Sequence, residues 1–210
     1  MKQIKVKFCG LKKHHELHWA AESGADAVGF VLVEKSPRYV DMELAKELID
    51  AAKKMQLITV VLFADHPAEY VNKVIDSCYP DVLQFHGFET AGFCEQFKHR
   101  YWKAIPMLST ADYLSYFDQY PNAEAFLLDT FGKQQSGGSG HAFEWFQFPE
   151  QHKEKMILAG GLHENNVADA ILSTGAEFID ISSGIEEMKG VKSANKMMSF
   201  MQQVKAIEIT

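Results

Sequence analysis

Phe178-Ile179-Asp180-Ile181-Ser182-Ser183-Gly184 is a short apolar run, interrupted by one carboxylate and ended by two hydroxyls and a glycine. It reads as a buried strand that stops at a tight turn. Its weight comes from being the eighth of its kind. Seven comparable runs precede it, at Ile4–Cys9, Ala27–Val33, Leu57–Phe63, Val82–His86, Tyr101–Ile105, Ala125–Asp129 and Met156–Ala159. Segments of helical spacing lie between them. Glu43 to Met55 puts Leu44, Leu48, Ile49 and Ala52 on one face, and Ala68 to Cys78 does the same with Val71, Val74 and Ile75. An open doubly wound sheet more often stops at five or six strands, so an eighth repeat predicts an α/β fold of the (β/α)8 TIM barrel type. One domain over residues 1–210 is expected.

Composition agrees with a single core. A chain of 210 residues with 47% apolar content suffices for one buried interior and falls short of two ordinary domains. It shows no internal repeat and no linker. No stretch of about 18 uncharged apolar residues occurs, and Met1-Lys2-Gln3 leads straight into an alternating strand, so a soluble cytoplasmic protein without a membrane partner is expected. Cys9, Cys78 and Cys94 are odd in number, widely spaced and without a CxxC pair, which points to reduced thiols rather than a disulfide framework or zinc site. A formal charge of −7 argues against non-specific nucleic-acid binding but leaves room for a small anion held by local donors. His14, His15 and His18 have metal-like spacing, yet they lie among charges on an early helix and read as solvent-facing. Cys78 and Cys94 fall within helices and read as packing residues.

In parallel barrels the chemistry sits at the C-terminal strand ends. Cys9, Arg38, Asp129 and Asp180 all lie at or just past the end of an apolar run. Gly160 and Gly161 follow the seventh run, with Asn165 and Asn166 able to open the next helix, while Ser182, Ser183 and Gly184 follow the eighth and precede another helical stretch. Either cluster alone is explained by a tight turn. Both together, in the loops after strands seven and eight, favour a phosphate site made of backbone N–H groups and a helix end. Thr130 to Gly140 is polar and glycine-rich and reads as a mobile loop over a site. Each side chain also has an ordinary reading: a cysteine ending a strand is usually a packing residue, and an aspartate there usually caps a helix.

Six motifs, in order and each at a strand end, resemble those of the phosphoribosylanthranilate isomerases. They are Lys7-Phe8-Cys9-Gly10; Gly29-Phe30 with Ser36-Pro37-Arg38-Tyr39-Val40; Gln84-Phe85-His86-Gly87; Asp129 with Gly137-Gly138-Ser139-Gly140 and Phe143-Glu144-Trp145; Leu158-Ala159-Gly160-Gly161-Leu162 with Asn166-Val167; and Asp180-Ile181-Ser182-Ser183-Gly184-Ile185-Glu186. The resemblance implies a (β/α)8 barrel of tryptophan biosynthesis that converts N-(5-phosphoribosyl)anthranilate into 1-(2-carboxyphenylamino)-1-deoxyribulose 5-phosphate by an Amadori rearrangement. It further implies Asp129 as general acid, protonating the ring oxygen as the sugar opens to an iminium ion, and Cys9 as general base, taking the proton from the adjacent carbon. The iminium itself acidifies that C–H bond, so neither metal nor redox cofactor is expected.

Both catalytic groups would need the reverse of their free protonation tendency. Lys7, two residues from Cys9 on one strand face, is the candidate to favour the thiolate. Arg38 is expected to bind the aromatic carboxylate with two parallel hydrogen bonds, Asp180 a ribose hydroxyl, and His86 to line the pocket. The partner is thus a small phosphosugar, met by a monomer or homodimer. Three departures from the family pattern touch helix starts: Leu11-Lys12-Lys13-His14-His15-Glu16, Glu144 in place of an aspartate, and Ser193 after Gly190-Val191-Lys192. Other phosphosugar barrels fit less well. An indole-glycerol phosphate synthase needs a strand-end lysine acid, and a histidine-pathway isomerase an aspartate in place of Cys9. A non-catalytic sugar-binding barrel would need neither Cys9 nor Asp129.

Overall fold

The structure is a computed structural model that describes residues 3–107, 114–129, 148 and 152–207. Eight parallel strands close into a barrel in chain order: β1 (Lys5–Cys9), β2 (Ala27–Val31), β3 (Ile58–Phe63), β4 (Val82–Phe85), β5 (Tyr101–Pro106), β6 (Ala125–Asp129), β7 (Met156–Leu158) and β8 (Phe178–Ile181). β1 pairs with both β2 and β8, which closes the ring. Each strand lies within two residues of the run read from sequence. The helices are α1 (His14–Ser23), α2 (Met42–Lys54), α3 (Ala68–Cys78), α4 (Ala91–Glu95), α5 (Ser115–Gln119), α6 (Val167–Thr174) and α7 (Ala194–Lys205). Between β6 and β7 the described residues include only a 3₁₀ turn at Lys153–Lys155. The loop expected at Thr130 to Gly140, and Glu144, lie outside the described residues.

Alternation along the strands divides the apolar residues into two layers. Ala27, Val60, Val82, Trp102, Leu127 and Ile157 pack inside the ring, where Trp102 meets Phe178 edge to face at 5.3 Å between centroids. A larger cluster lies between strands and helices, with Phe8, Phe30, Phe63, Phe85 and Phe200 among its buried members. Buried Leu48, Ile49 and Ala52 lay α2 against the sheet, and the Asp41 carboxylate caps that helix by accepting from Leu44 N at 2.8 Å. The same inward parity carries Lys7, Cys9, Gln84, His86, Asp129, Asp180 and Ser182 toward the axis, with Cys9, His86, Asp129 and Ser182 at the C-terminal mouth.

Between β8 and α7 the chain does not pass directly into a helix. It makes a 3₁₀ turn at Ser183–Ile185 and a two-stranded antiparallel hairpin, β9 (Glu186–Met188) and β10 (Val191–Lys192). Gly190 turns this hairpin with φ 80°, a conformation that suits glycine. Cys78 and Cys94 are buried in α3 and α4, and His14, His15 and His18 are exposed on α1. The departures near the start of α1 are absorbed locally: the buried Glu16 carboxylate accepts from Lys12 N (2.6 Å) and Lys13 N (3.2 Å), satisfying donors that a helix start leaves open. Ser193 precedes α7 without a side-chain cap.

Candidate active site

Register alone brings the first group together. Lys7 on β1 is the Cα partner of Asp180 on β8, and Cys9 is the Cα partner of Gly29 on β2. Lys7 is fully buried and donates from Nζ to Asp180 Oδ1 at 2.7 Å. A Cβ on Gly29 would lie 2.9 Å from both Cys9 Sγ and Lys7 Cε. Glycine is thus what lets the thiol and the lysine stem share one space inside the barrel. Burial, working against the charged form, is the largest influence on Cys9 and pushes its thiol above the ordinary cysteine range; Lys7 and Lys192 pull the other way, and Asp180 adds to the rise. The expected stabilisation by Lys7 is therefore present, but burial outweighs it. Lys7 spends its charge chiefly on Asp180: burial pulls its ammonium down, and Asp180 and Cys9 more than restore it.

The second group lies three strands round the ring, counting from β1 through β8. Asp129 ends β6, and His86 follows the end of β4, their Oδ2 and Nε2 atoms 3.2 Å apart. His86 Nδ1 faces Gln84 Nε2 at 3.2 Å, and Gln84 is fully buried. His86 and Asp129 share a cleft with Gly87, Phe88, Pro106, Tyr116 and Tyr120. Just outside the barrel, buried Lys103 donates to Gly87 O (2.6 Å) and to Glu89 Oε2 (3.3 Å), while Glu89 accepts from Gly87 N (2.9 Å) and Asp65 N (2.8 Å). This ion pair fixes the turn that carries His86.

The glycine and serine clusters also meet. A Cβ on Gly184 would lie 2.0 Å from Leu162 O, so the loops after β7 and β8 are in direct backbone contact. Gly160 and Gly161 have φ of 85° and 65°. Asn166 precedes α6 as expected, but its side chain does not cap the helix. It closes the loop instead, accepting from His163 N at 2.8 Å and donating to Gly161 O at 3.0 Å. The Ser182 hydroxyl donates to Cys9 O at 3.0 Å, tying this corner to β1.

Arg38, the expected partner of the aromatic carboxylate, is also paired within the chain. Its Nε and Nη2 donate to Glu186 Oε1 and Oε2 at 2.6 and 2.9 Å. Glu186 also accepts from Lys192 Nζ at 2.9 Å, and Lys192 donates to Ser182 O at 2.9 Å. Sequence reading missed Glu186 and Lys192 as site residues, since a charge beside a turn normally reads as solvated. Their burial arises from a hairpin whose only local signal is Gly190.

The sequence matches the family model described as N-(5'phosphoribosyl)anthranilate (PRA) isomerase over residues 6–203. The chain belongs to that isomerase family. It is 37% identical to the N-(5'-phosphoribosyl)anthranilate isomerase of Nitrosomonas europaea, covering 98% of this chain and 97% of that one. To the enzyme of Hahella chejuensis it is 38% identical, covering 97% and 95%. Among solved structures, the phosphoribosyl anthranilate isomerase of Thermotoga maritima superposes with a TM-score of 0.86 at 27% identity, covering 98% of this chain and all of that one. A phosphoribosyl anthranilate isomerase in complex with reduced 1-(o-carboxyphenylamino)-1-deoxyribulose 5-phosphate gives 0.83 at 26%, with the same coverage.

Proposed function

We propose that Cys9 and Asp129 are the general base and general acid of an Amadori rearrangement run across the barrel mouth. The chain is a phosphoribosylanthranilate isomerase, an aldose–ketose isomerase of tryptophan biosynthesis. The observation that carries the residue assignment is the placement of a buried thiol on β1 and a carboxyl on β6 at the C-terminal ends of one closed ring. Asp129 delivers a proton to the furanose oxygen as the ring opens. Cys9 takes the proton from the neighbouring carbon, and the enolamine tautomerises to the ketone. A protonated acid and an ionised thiol are both needed, and the iminium formed in the first step supplies a positive charge that favours the thiolate.

Asp180, held by Lys7, is placed to accept from a ribose hydroxyl, and His86 lines the acid side. Gly160, Gly161, Ser182, Ser183 and Gly184 take the phosphate, supported by their contact across the β7 and β8 loops and by the backbone donors such turns offer. Arg38 takes the aromatic carboxylate with the guanidinium edge that Glu186 leaves open. A cytoplasmic setting follows from a base that must stay a free thiol. No helix among the described residues is long and apolar enough to cross a membrane. All these residues belong to one chain, so a monomer and a homodimer are both able to carry the site. The test is turnover by the purified chain, followed as loss of phosphoribosylanthranilate fluorescence; a folded protein that binds the sugar without consuming it would sink the proposal.

A further inference from the structure

Arg38 reaches the site along a defined track. A Cβ on Gly10 would lie 2.5 Å from Arg38 Cδ, so the arginine stem crosses the residue that follows Cys9. A guanidinium can grip a carboxylate in parallel with either of two edges, Nε with Nη2 or Nη1 with Nη2. Glu186 occupies the first edge with both oxygens. Among the described residues nothing accepts from Nη1. Glu186 in turn takes Lys192 Nζ at 2.9 Å and Gly190 N at 3.0 Å, so four donors fix its two oxygens. Burial works against the Glu186 carboxylate, and the donors from Arg38, Lys192 and Gly190 outweigh it and keep the group below the usual range. Two cations against one carboxylate leave a positive surplus, which suits one anionic partner on the far edge of the arginine.

We infer that Glu186 and Lys192 are positioning residues: Glu186 clamps Arg38 so that its outer edge is presented to the substrate's aromatic carboxylate, and Lys192 holds Glu186 in place. The inference rests on the reading of Arg38 as the carboxylate's partner. Its physical content is pre-organisation. A long arginine that is already immobile loses little rotamer freedom when the substrate arrives. The hairpin is built for this, because a Cβ on Gly190 would come within 2.6 Å of Pro37 O, beside Arg38. Lys12 Nζ donates to that same carbonyl at 3.0 Å.

Calorimetric titration of the full chain with reduced 1-(o-carboxyphenylamino)-1-deoxyribulose 5-phosphate, and with its counterpart lacking the carboxyl group, tests the clamp. Arg38→Met should weaken the carboxylated probe about 100-fold, and Glu186→Gln should weaken it about tenfold, with both variants within about threefold of wild type on the other probe. In turnover, Glu186→Gln should raise KM with kcat nearly unchanged. If Arg38→Met discriminates between the probes and Glu186→Gln binds both as wild type does, the clamp is wrong and the Arg38 reading stands. Equal weakening of both probes by Glu186→Gln also overturns the clamp. If Arg38→Met does not discriminate, both fall together. Should Glu186→Gln fail to fold by circular dichroism, Glu186→Asp, which keeps the charge and withdraws it by a methylene, is put through the same comparison with the same outcomes deciding.

Discussion

On the β8–β1–β2 side of the mouth, Lys7–Asp180, Arg38–Glu186 and Lys192–Glu186 interlock at 2.6 to 2.9 Å with side chains from fully buried to 14% exposed. On the β4–β6 side, Asp129 and His86 meet at 3.2 Å with side chains 23% and 19% exposed. The first side is fixed by charges that cannot separate without leaving a buried ion unpaired. The second keeps contact with solvent, from which an acid can recover its proton. On the proposed assignment, an acid with solvent access can be reprotonated between turnovers, while the buried thiol on the other side relies on its cationic neighbours and on the iminium to ionise.

The sharpest way to break this comparison is to remove each reacting group. Cys9→Ala and Asp129→Ala should each lower turnover by about 10³-fold in the fluorescence assay while leaving the circular dichroism spectrum unchanged. Near-normal turnover in either would refute that assignment. Stability should then separate the two sides. Lys7→Met strands the Asp180 carboxylate in the barrel and should cost about 3–5 kcal/mol in urea unfolding, whereas His86→Asn should cost about 1 kcal/mol. Comparable losses would mean that the acid side is as rigidly tied as the base side.

Gly29→Ala comes next. Its methyl would crowd Cys9 Sγ and Lys7 Cε, so a loss of about 1–3 kcal/mol is expected, together with a fall in kcat that shows the thiol has moved. The smallest effect lies in pH. The Cys94 thiol, in α4 on the acid side, is pushed by burial from the ordinary 9.0 to about 12. Between those values the folded chain keeps a proton that the unfolded chain has lost. Stability is therefore intact below about pH 9 and declines as pH rises toward 12, and Cys94→Ala should flatten that decline in alkaline denaturation curves. An unchanged slope would remove Cys94 from the account.

Much of the site was legible because a barrel orders its chemistry by strand ends. Once eight runs are counted, parity turns Cys9, Asp129 and Asp180 toward the axis, with Cys9 and Asp129 at the mouth, and the glycine and serine clusters fall in adjacent loops. Arg38 was legible as a ligand candidate, but its partner was not. Glu186 lies 148 residues away, and nothing near either residue marks the pairing. The same holds for Lys103 and Glu89, which look like surface charges in sequence and are only 2% exposed at their side chains.

The chain's own pattern determined the architecture and named the candidate groups, since hydrophobic period and residue chemistry are local properties. Folding decided which charges are spent on each other. Lys7 belongs to Asp180 more than to Cys9, Arg38 gives one edge to Glu186, and burial works against the Cys9 thiolate. Those outcomes depend on distance and desolvation between strands far apart in sequence, and pairing of that kind exists only once the ring has closed.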